Sequence, residues 1–401
     1  MPKKILLIGA FDTKGEEFVY ARDLIVRRGH HVLLTDVGVL EDPVNLQPDI
    51  SSAEVAKAGG SSLQKLRSTG DRGQAIDVMI AGVEKIVPQL YSEQRFDAVL
   101  SLGGGAGTNI ATAGMRQLPV GVPKVMVSTL ASSDVSSYVG IKDITMMYSV
   151  TDIAGLNRLS RQVLANAVGA VCGMAEQVAP AAEDKPLIAA SMFGVTTLCV
   201  SEVRKKLEKA GYELLVFHAT GTGGRAMEGL IEDGFFAAVA DITTTEWADQ
   251  VVGGVLPAGE DRLGAAGRKG IPQVVSCGAL DMVNFHAMET VPQQFKGRNL
   301  YKHNPTVTLM RTTADECRKI GNKIAGKLNQ ANGPVTLILP LKGVSSLDAD
   351  GQPFFDSETD EALFDSLRES VSTNVNVVEL DLHINDTEFA DRIAEELLSM
   401  L

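Results

Sequence analysis

The sequence lacks any run approaching the roughly 20 uninterrupted apolar residues of a membrane helix, and it lacks an excess of positive charge. The first absence argues against a membrane-spanning protein. The second argues against non-specific nucleic-acid or membrane-surface binding, since the net charge is −13 with no basic run. Cysteine is scarce: Cys172, Cys199, Cys277 and Cys317 lie far apart with no C-x-x-C pair, which excludes a disulfide scaffold or zinc ribbon and leaves them as small buried residues. The six histidines include no H-x-x-x-H, so no protein metal site is expected. A signal peptide is not expected either. The apolar run after Lys4 stops at Gly9, and Asp12 and Lys14 follow at once, so it reads as a buried strand and the chain as cytoplasmic.

What is present is an ordinary globular composition, 45% hydrophobic and 22% charged over 401 residues, enough for two or three domains at about 150 residues each. The charge is uneven. Residues 1–180 carry 17 Lys+Arg against 18 Asp+Glu, and residues 181–401 carry 20 against 32. A polyanion would find the first half the easier host.

Short apolar runs alternate with helical periodicity throughout. Strands are expected at Lys4–Gly9, His31–Asp36, Phe96–Leu102, Lys124–Ser128 and Ile144–Tyr148, and helices at Glu16–Arg28, Gly73–Tyr91, Thr108–Arg116 and Arg158–Glu176. After the aperiodic stretch 178–185 the pattern restarts. Strands follow at Leu187–Met192, Glu213–His218, Phe236–Ala240, Gln273–Ser276, Val335–Leu339 and Val375–Leu380. Helices follow at Thr196–Ala210, Thr243–Val251, Thr312–Asn329 and Thr387–Met400, while 281–305 shows no clear period. Ile5 to Gly29 and Leu187 to Gly211 each span 24 residues, and each closes a helix on a glycine, the residue suited to a left-handed cap. The fold expected is α/β: two Rossmann-like, doubly wound lobes with mainly parallel sheets, 1–180 and 186–401.

The strongest chemical signal is the strand Phe96–Leu102 running into Gly103-Gly104-Gly105-Ala106-Gly107-Thr108-Asn109 and a helix. A backbone without Cβ atoms approaches a ligand closely, and a helix N-terminus presents N–H groups and partial positive charge to phosphate. No Lys-Ser/Thr follows, so it is not a Walker A loop, and the G-x-G-x-x-G spacing is not met, which disfavours a nicotinamide enzyme. Three further loops converge at the same strand ends. Asp12-Thr13-Lys14 offers a carboxylate, a hydroxyl and a point charge. Asp36 suits a ribose hydroxyl. Arg72 opens a helix, where a cation stabilises the helix little and is better explained by an anion. Capping and turn formation are the structural alternatives for each. The combination reads as a polyphosphate nucleotide site, with ATP the simplest ligand.

In the second half, His218-Ala219-Thr220-Gly221-Thr222-Gly223-Gly224-Arg225 reads as another backbone nest beside a clamping arginine. Thr243 with Glu246 has the spacing of a capping box, and Trp247 reads as a packing residue beside it. If this lobe is catalytic, His218, Asp241 or Glu246 supplies acid/base groups, and Arg225 with Arg311 holds an acidic small molecule between the lobes. An ATP-dependent enzyme of ligase, hydrolase or kinase-like type is one expectation. A nucleotide-dependent regulatory or binding protein without turnover is the other.

Long motifs also carry a family likeness. Asp12-Thr13-Lys14, the glycine loop, Pro123-Lys124-Val125, Met192–Thr197, Phe217–Gly221, Asp241–Glu246, Gly278–Phe285 and Met310–Thr313 together resemble the family of the tomato mosaic virus resistance protein, over essentially the whole chain. The resemblance implies ATP in the first lobe, with Mg2+ carried by the nucleotide, and a tendency to form a homodimer. By motif it implies nucleotide contacts at Asp12, Thr13, Lys14, Val39, Arg72, Gly105, Ala106, Gly107 and Thr108. Val39 stands where the plant member has threonine, and Ala106 where the pattern has glycine.

Overall fold

The computed structural model describes residues 1–178 and 184–401. Of the aperiodic stretch 178–185, residues 179–183 lie outside the described residues. The chain divides into two compact units, Met1–Ala181 and Ala182–Leu401.

The first unit is built on β1 (Lys4–Gly9), β2 (His31–Asp36), β3 (Ala98–Gly103), β4 (Lys124–Ser128) and β5 (Thr145–Tyr148). They form one parallel sheet in the order β2-β1-β3-β4-β5. Its helices are α1 (Phe11–Arg27), α2 (Ser52–Ala58), α3 (Leu63–Thr69), α4 (Arg72–Ser92), α5 (Gly105–Arg116), α6 (Ser136–Val139) and α7 (Arg158–Glu176). The central strands are buried on both faces, which is why they read as continuous apolar runs and not as alternation. Leu6 and Ile8 face one core with Met79 and Ile110, whereas Ile5 and Leu7 face the other with Phe18 and Val168. Three helices went unseen in the sequence because each is short. Two of them, α2 and α3, start at serine caps, Ser51 and Ser62, whose hydroxyls accept the N–H of Glu54 and Lys65. Helix α1 begins five residues earlier than periodicity suggested, with a break in helical geometry at Lys14 (φ −127°, ψ 22°). Lys124, part of the family motif, is a buried staple whose Nζ donates to the Pro119 and Val122 carbonyls and to Asp143.

The second unit holds β6 (Leu187–Met192), α8 (Thr197–Lys209), β7 (Glu213–His218), α9 (Thr222–Glu232), β8 (Phe236–Thr243), α10 (Glu246–Val252), α11 (Ala265–Lys269), β9 (Gln273–Gly278), β10 (Met282–Phe285), β11 (Leu300–Asn304), β12 (Val307–Arg311), α12 (Ala314–Leu328), β13 (Val335–Pro340), α13 (Ser357–Ser370), β14 (Val375–Leu380) and α14 (Thr387–Ser399). Its parallel sheet runs β7-β6-β8-β9-β13-β14. The first five strands along the chain therefore repeat the order of the first unit. The segment 281–305 is corrected by the structure: with β12 it forms a three-stranded antiparallel sheet, β10-β12-β11, inserted before α12. Among the described residues no helix is long and apolar enough to cross a membrane.

Candidate functional site

In the first unit the chain leaves β1 for β2 on one side and returns to β3 on the other. The connections lie on opposite faces, so a crevice opens at the carboxyl ends of β1 and β3. A cavity of about 450 Å3 lies there. Ala10, Asp12 and Thr13 reach it from β1, Val37 to Leu40 from β2, and Ala106, Gly107 and Ile110 from α5. Leu66, Arg67, Arg72, Ile76 and Met79 complete it from α3 and α4, giving an apolar wall with cations at its rim.

Six of the nine nucleotide positions implied by motif line this one cavity: Asp12, Thr13, Val39, Arg72, Ala106 and Gly107. Lys14, Gly105 and Thr108 are not in its lining. Thr108 is buried, with its hydroxyl 2.7 Å from Ser128 Oγ and its N–H donated to the Gly104 carbonyl. Its hydrogen bonds are spent inside the protein. Arg72 is exposed and forms no ion pair among the described residues. Arg67 is a cation the sequence reading missed, because α3 was not recognised. Its Nε donates to the Val39 carbonyl at 2.8 Å and its guanidinium reaches Asp42 at 2.8 Å.

The glycine turn shows why it is glycine. Helix α5 has no capping side chain, so the amides of its first turn stay free. A Cβ built at Gly104, Gly105 or Gly107 meets nothing closer than 3.7 Å, and none of the three has a positive φ. Neither packing nor backbone geometry demands glycine at these positions.

Two carboxylates shape the β1 and β2 ends. Asp36, read as a ribose contact, is instead 1% exposed. Its Oδ1 accepts the N–H groups of Phe11 (3.0 Å) and Gly38 (2.9 Å). Burial pushes its acidity toward the protonated form, against those two bonds, and the neighbouring Asp12 charge adds to the push. Asp12 Oδ2 accepts the Leu40 N–H at 2.9 Å. Gly38 is required here, since a Cβ would lie 2.6 Å from the Asp12 carboxyl carbon.

The four candidates of the second unit divide into two sets. His218 and Arg225 are exposed, and His218 stacks on Phe193 at 5.3 Å between ring centroids. Asp241 and Glu246 are buried and both bind Arg262, itself 1% exposed. The second nest is already filled: Glu246 Oε1 accepts the N–H groups of Gly221 (2.6 Å) and Gly224 (3.1 Å). The Thr243–Glu246 capping box is therefore not formed, and Thr243 Oγ1 lies 2.8 Å from Thr196 Oγ1 instead. Arg262 and its third partner, Glu228, went unnoticed in the sequence because nothing local marks a buried arginine. Arg311 is likewise spent, on Asp360 at 2.6 Å and the Phe354 carbonyl at 2.7 Å. His383 uses both ring nitrogens, on the Ser345 carbonyl and the Asn385 N–H. Trp247 is fully buried, as a packing residue should be.

Comparison with known proteins follows the same division. The models described as Uncharacterised protein family (UPF0261) N-terminal domain and C-terminal domain match residues 3–180 and 185–401. A UPF0261 protein of Clostridium tetani is 54% identical over the full length of both chains. One from Mesorhizobium japonicum is 49% identical over 98% of each. The ToMV resistance protein Tm-1(GCR237) of Solanum lycopersicum is 44% identical over 82% of this chain and 45% of its own length. The kinship expected from the motifs is met.

Proposed function

The chain belongs to the UPF0261 family, and from that premise we propose that its first unit binds a nucleoside triphosphate, ATP being the simplest, with Mg2+ carried by the nucleotide. One observation carries the reading. Gly104, Gly105 and Gly107 bound an uncapped helix start beside an open cavity, with room for Cβ atoms that the sequence withholds. A phosphate resting on those amides would take the space that a Cβ would otherwise fill. Arg72 supplies a free cation, and Leu66, Ile76, Met79 and Ile110 supply an apolar slot for a base.

Of the two roles for such a site, a nucleotide-dependent binding or regulatory protein is favoured. The alternative, an ATP-dependent enzyme acting on a small acidic metabolite, would draw acid/base groups from the second unit. The commitment of Asp241 and Glu246 to Arg262 counts against them. His218 and Arg225 are the groups left free for that alternative. The tomato relative's name concerns resistance to a virus, and nothing here extends that role to this chain.

Titration calorimetry with Mg-ATP tests the reading. One site per chain is expected. Arg72→Ala should weaken binding about tenfold or more, the worth of a hydrogen bond to a charged group. Gly107→Ala should weaken binding without lowering the melting temperature, since a Cβ there meets nothing closer than 3.7 Å. No heat with the unmodified chain sinks the reading. ADP release above background with metabolite pools would instead favour the enzyme.

A further inference from the structure

Asp71 lines the cavity of the first unit from the start of α4. Its Oδ1 caps that helix, accepting the Gln74 N–H at 3.1 Å. Its Oδ2 is left uncommitted: the side chain is exposed and forms no ion pair among the described residues. The other carboxylates nearby are placed differently. Asp36 is buried and does not line the cavity. Asp12 does line it, but its Oδ2 accepts the Leu40 N–H and its Oδ1 is buried. Of the two lining carboxylates, Asp71 is the one with an oxygen to spare for a ligand.

Capping alone does not call for a charge, since serine and asparagine cap as well as aspartate. A carboxylate in a cavity that takes a polyphosphate opposes the ligand's own charge, unless the ligand brings it a donor. The position of Asp71 says which donor. It directly precedes Arg72, the free cation, and it opens the helix whose Ala75, Ile76 and Met79 make the apolar wall. In a nucleotide the sugar joins the phosphates to the base, so a residue at the meeting of cation and apolar wall is level with the sugar. The donors there are the ribose hydroxyls. An acidic side chain accepting from a ribose hydroxyl is the recurrent device at the switch point of an open α/β sheet. An amino group on the base is also a donor, but it lies at the end of the ligand remote from the phosphates and from Arg72.

We infer that Asp71 Oδ2 accepts a hydrogen bond from the ribose hydroxyls of the bound nucleotide and makes the site selective for ribonucleotides over their deoxy forms. The inference rests on the nucleotide reading above and deepens it by naming the sugar. The role that the sequence suggested for Asp36 falls to Asp71, on a different loop. The two oxygens divide the work: Oδ1 holds the helix start and Oδ2 holds the sugar. Because the cap fixes the carboxylate beforehand, little side-chain freedom is lost when the ligand binds.

The test is titration calorimetry of the full chain with Mg-ATP and with the Mg2+ complex of 2′,3′-dideoxy-ATP, which keeps the base and the triphosphate and lacks both hydroxyls. The unmodified chain should bind ATP about tenfold or more tighter than the dideoxy form, the worth of a hydrogen bond to a charged group. Asp71→Ser and Asp71→Asn each keep an oxygen for the Gln74 N–H, so their thermal melts should match that of the unmodified chain. Neither leaves a second acceptor oxygen, so both should bring the ratio of the two affinities toward one. ATP should bind them more weakly, and the dideoxy form no more weakly than before. Should one variant melt early, the other decides. Equal affinity of the unmodified chain for ATP and for the dideoxy form overturns the sugar contact and leaves the nucleotide reading standing. Retention of the full ratio in a variant with an unchanged melt does the same, and marks Asp71 as a cap alone. Failure of both nucleotides to bind the unmodified chain overturns the nucleotide reading and this inference with it.

Discussion

Gly105 and Gly223 are glycines for opposite reasons. A Cβ at Gly223 would lie 1.9 Å from the His218 carbonyl oxygen, and one at Gly224 would lie 2.2 Å from Glu246. Their backbones are pressed against protein. At Gly105 the nearest atom to a Cβ is 3.9 Å away. Alanine should therefore act with opposite sign at the two positions. Gly223→Ala should destabilise by about 1–3 kcal/mol through overpacking. Gly105→Ala should leave stability unchanged or raise it by about 0.4–1 kcal/mol, because alanine loses less freedom on folding, while nucleotide affinity falls. Paired denaturant melts and calorimetry check both, and equal destabilisation at the two sites would remove the case for a ligand at the first turn. Asp249 offers a pH test at the same scale. It is buried, which pushes its pKa up to about 7 against hydrogen bonds from Asn284 and Leu256. The native state then holds a proton that the unfolded chain, with a pKa of about 4, has already released. Protons bound to the native state in excess mean that stability falls as pH rises between about 4 and 7. Asp249→Asn should flatten the stability profile across that window. Asn284 now donates its Nδ2 to Asp249, and its Oδ1, which has no partner, can accept from the new amide once the Asn284 side-chain amide turns over.

Elements in this chain are fixed as much by buried charge as by periodicity. Arg262 precedes α11 and binds Asp241 at the end of β8, Glu246 at the start of α10 and Glu228 on α9. Glu246 passes the link on to the Gly221–Gly224 turn that opens α9. One side chain thus sets the register of three elements at the carboxyl end of the sheet. Removing it leaves three buried carboxylates without a counter-charge. Arg262→Ala should cost about 3–5 kcal/mol, the scale for breaking a buried pair, far above the effect of losing the exposed Arg268–Glu232 pair. Chemical denaturation of the two variants side by side measures the difference. None of this was legible in the sequence, where Arg262 sits in an unremarkable loop and Glu246 has the spacing of a cap. Several strands were legible to the residue, such as the inner strands β1, β4 and β6, because burial on both faces leaves a mostly apolar run there. Strands β10 to β12 were not. They are four or five residues long, carry polar residues such as Asn284, Lys302 and His303, and pair antiparallel outside the main sheet. The glycine cradle was legible because a missing side chain is visible in the sequence itself. The commitment of Asp36 to the Phe11 and Gly38 N–H groups was not, because only folding shows which donors a carboxylate has already found.

At the scale of the whole chain, the repeated strand order and the shared 24-residue openings make the two units look alike, yet their chemistry differs. In the first unit the turn after β3 faces a cavity and its helix start is uncapped. In the second, the glycine turn before α9 is closed by the protein's own Glu246 carboxylate. The two turns are not counterparts, since one follows the third strand of its unit and the other the second, but of the two it is the first that leaves its amides free for the proposed anion. The charge agrees: the near-neutral residues 1–180 oppose an approaching triphosphate far less than residues 181–401, which hold most of the −13. The packing makes this separable by experiment. Every buried apolar cluster among the described residues lies wholly within one unit, Leu6 to Ile144 and Ile5 to Ala175 in the first, Ile188 to Leu397 and its companions in the second. A fragment of residues 1–178 keeps both faces of its sheet covered, by α4 and α5 on one side and α1 and α7 on the other, so it should fold alone with a cooperative melt. It should also bind Mg-ATP within about threefold of the full chain, since every residue of the cavity belongs to it. Calorimetry on the fragment checks this, and a folded fragment that does not bind would show that the second unit supplies part of the site.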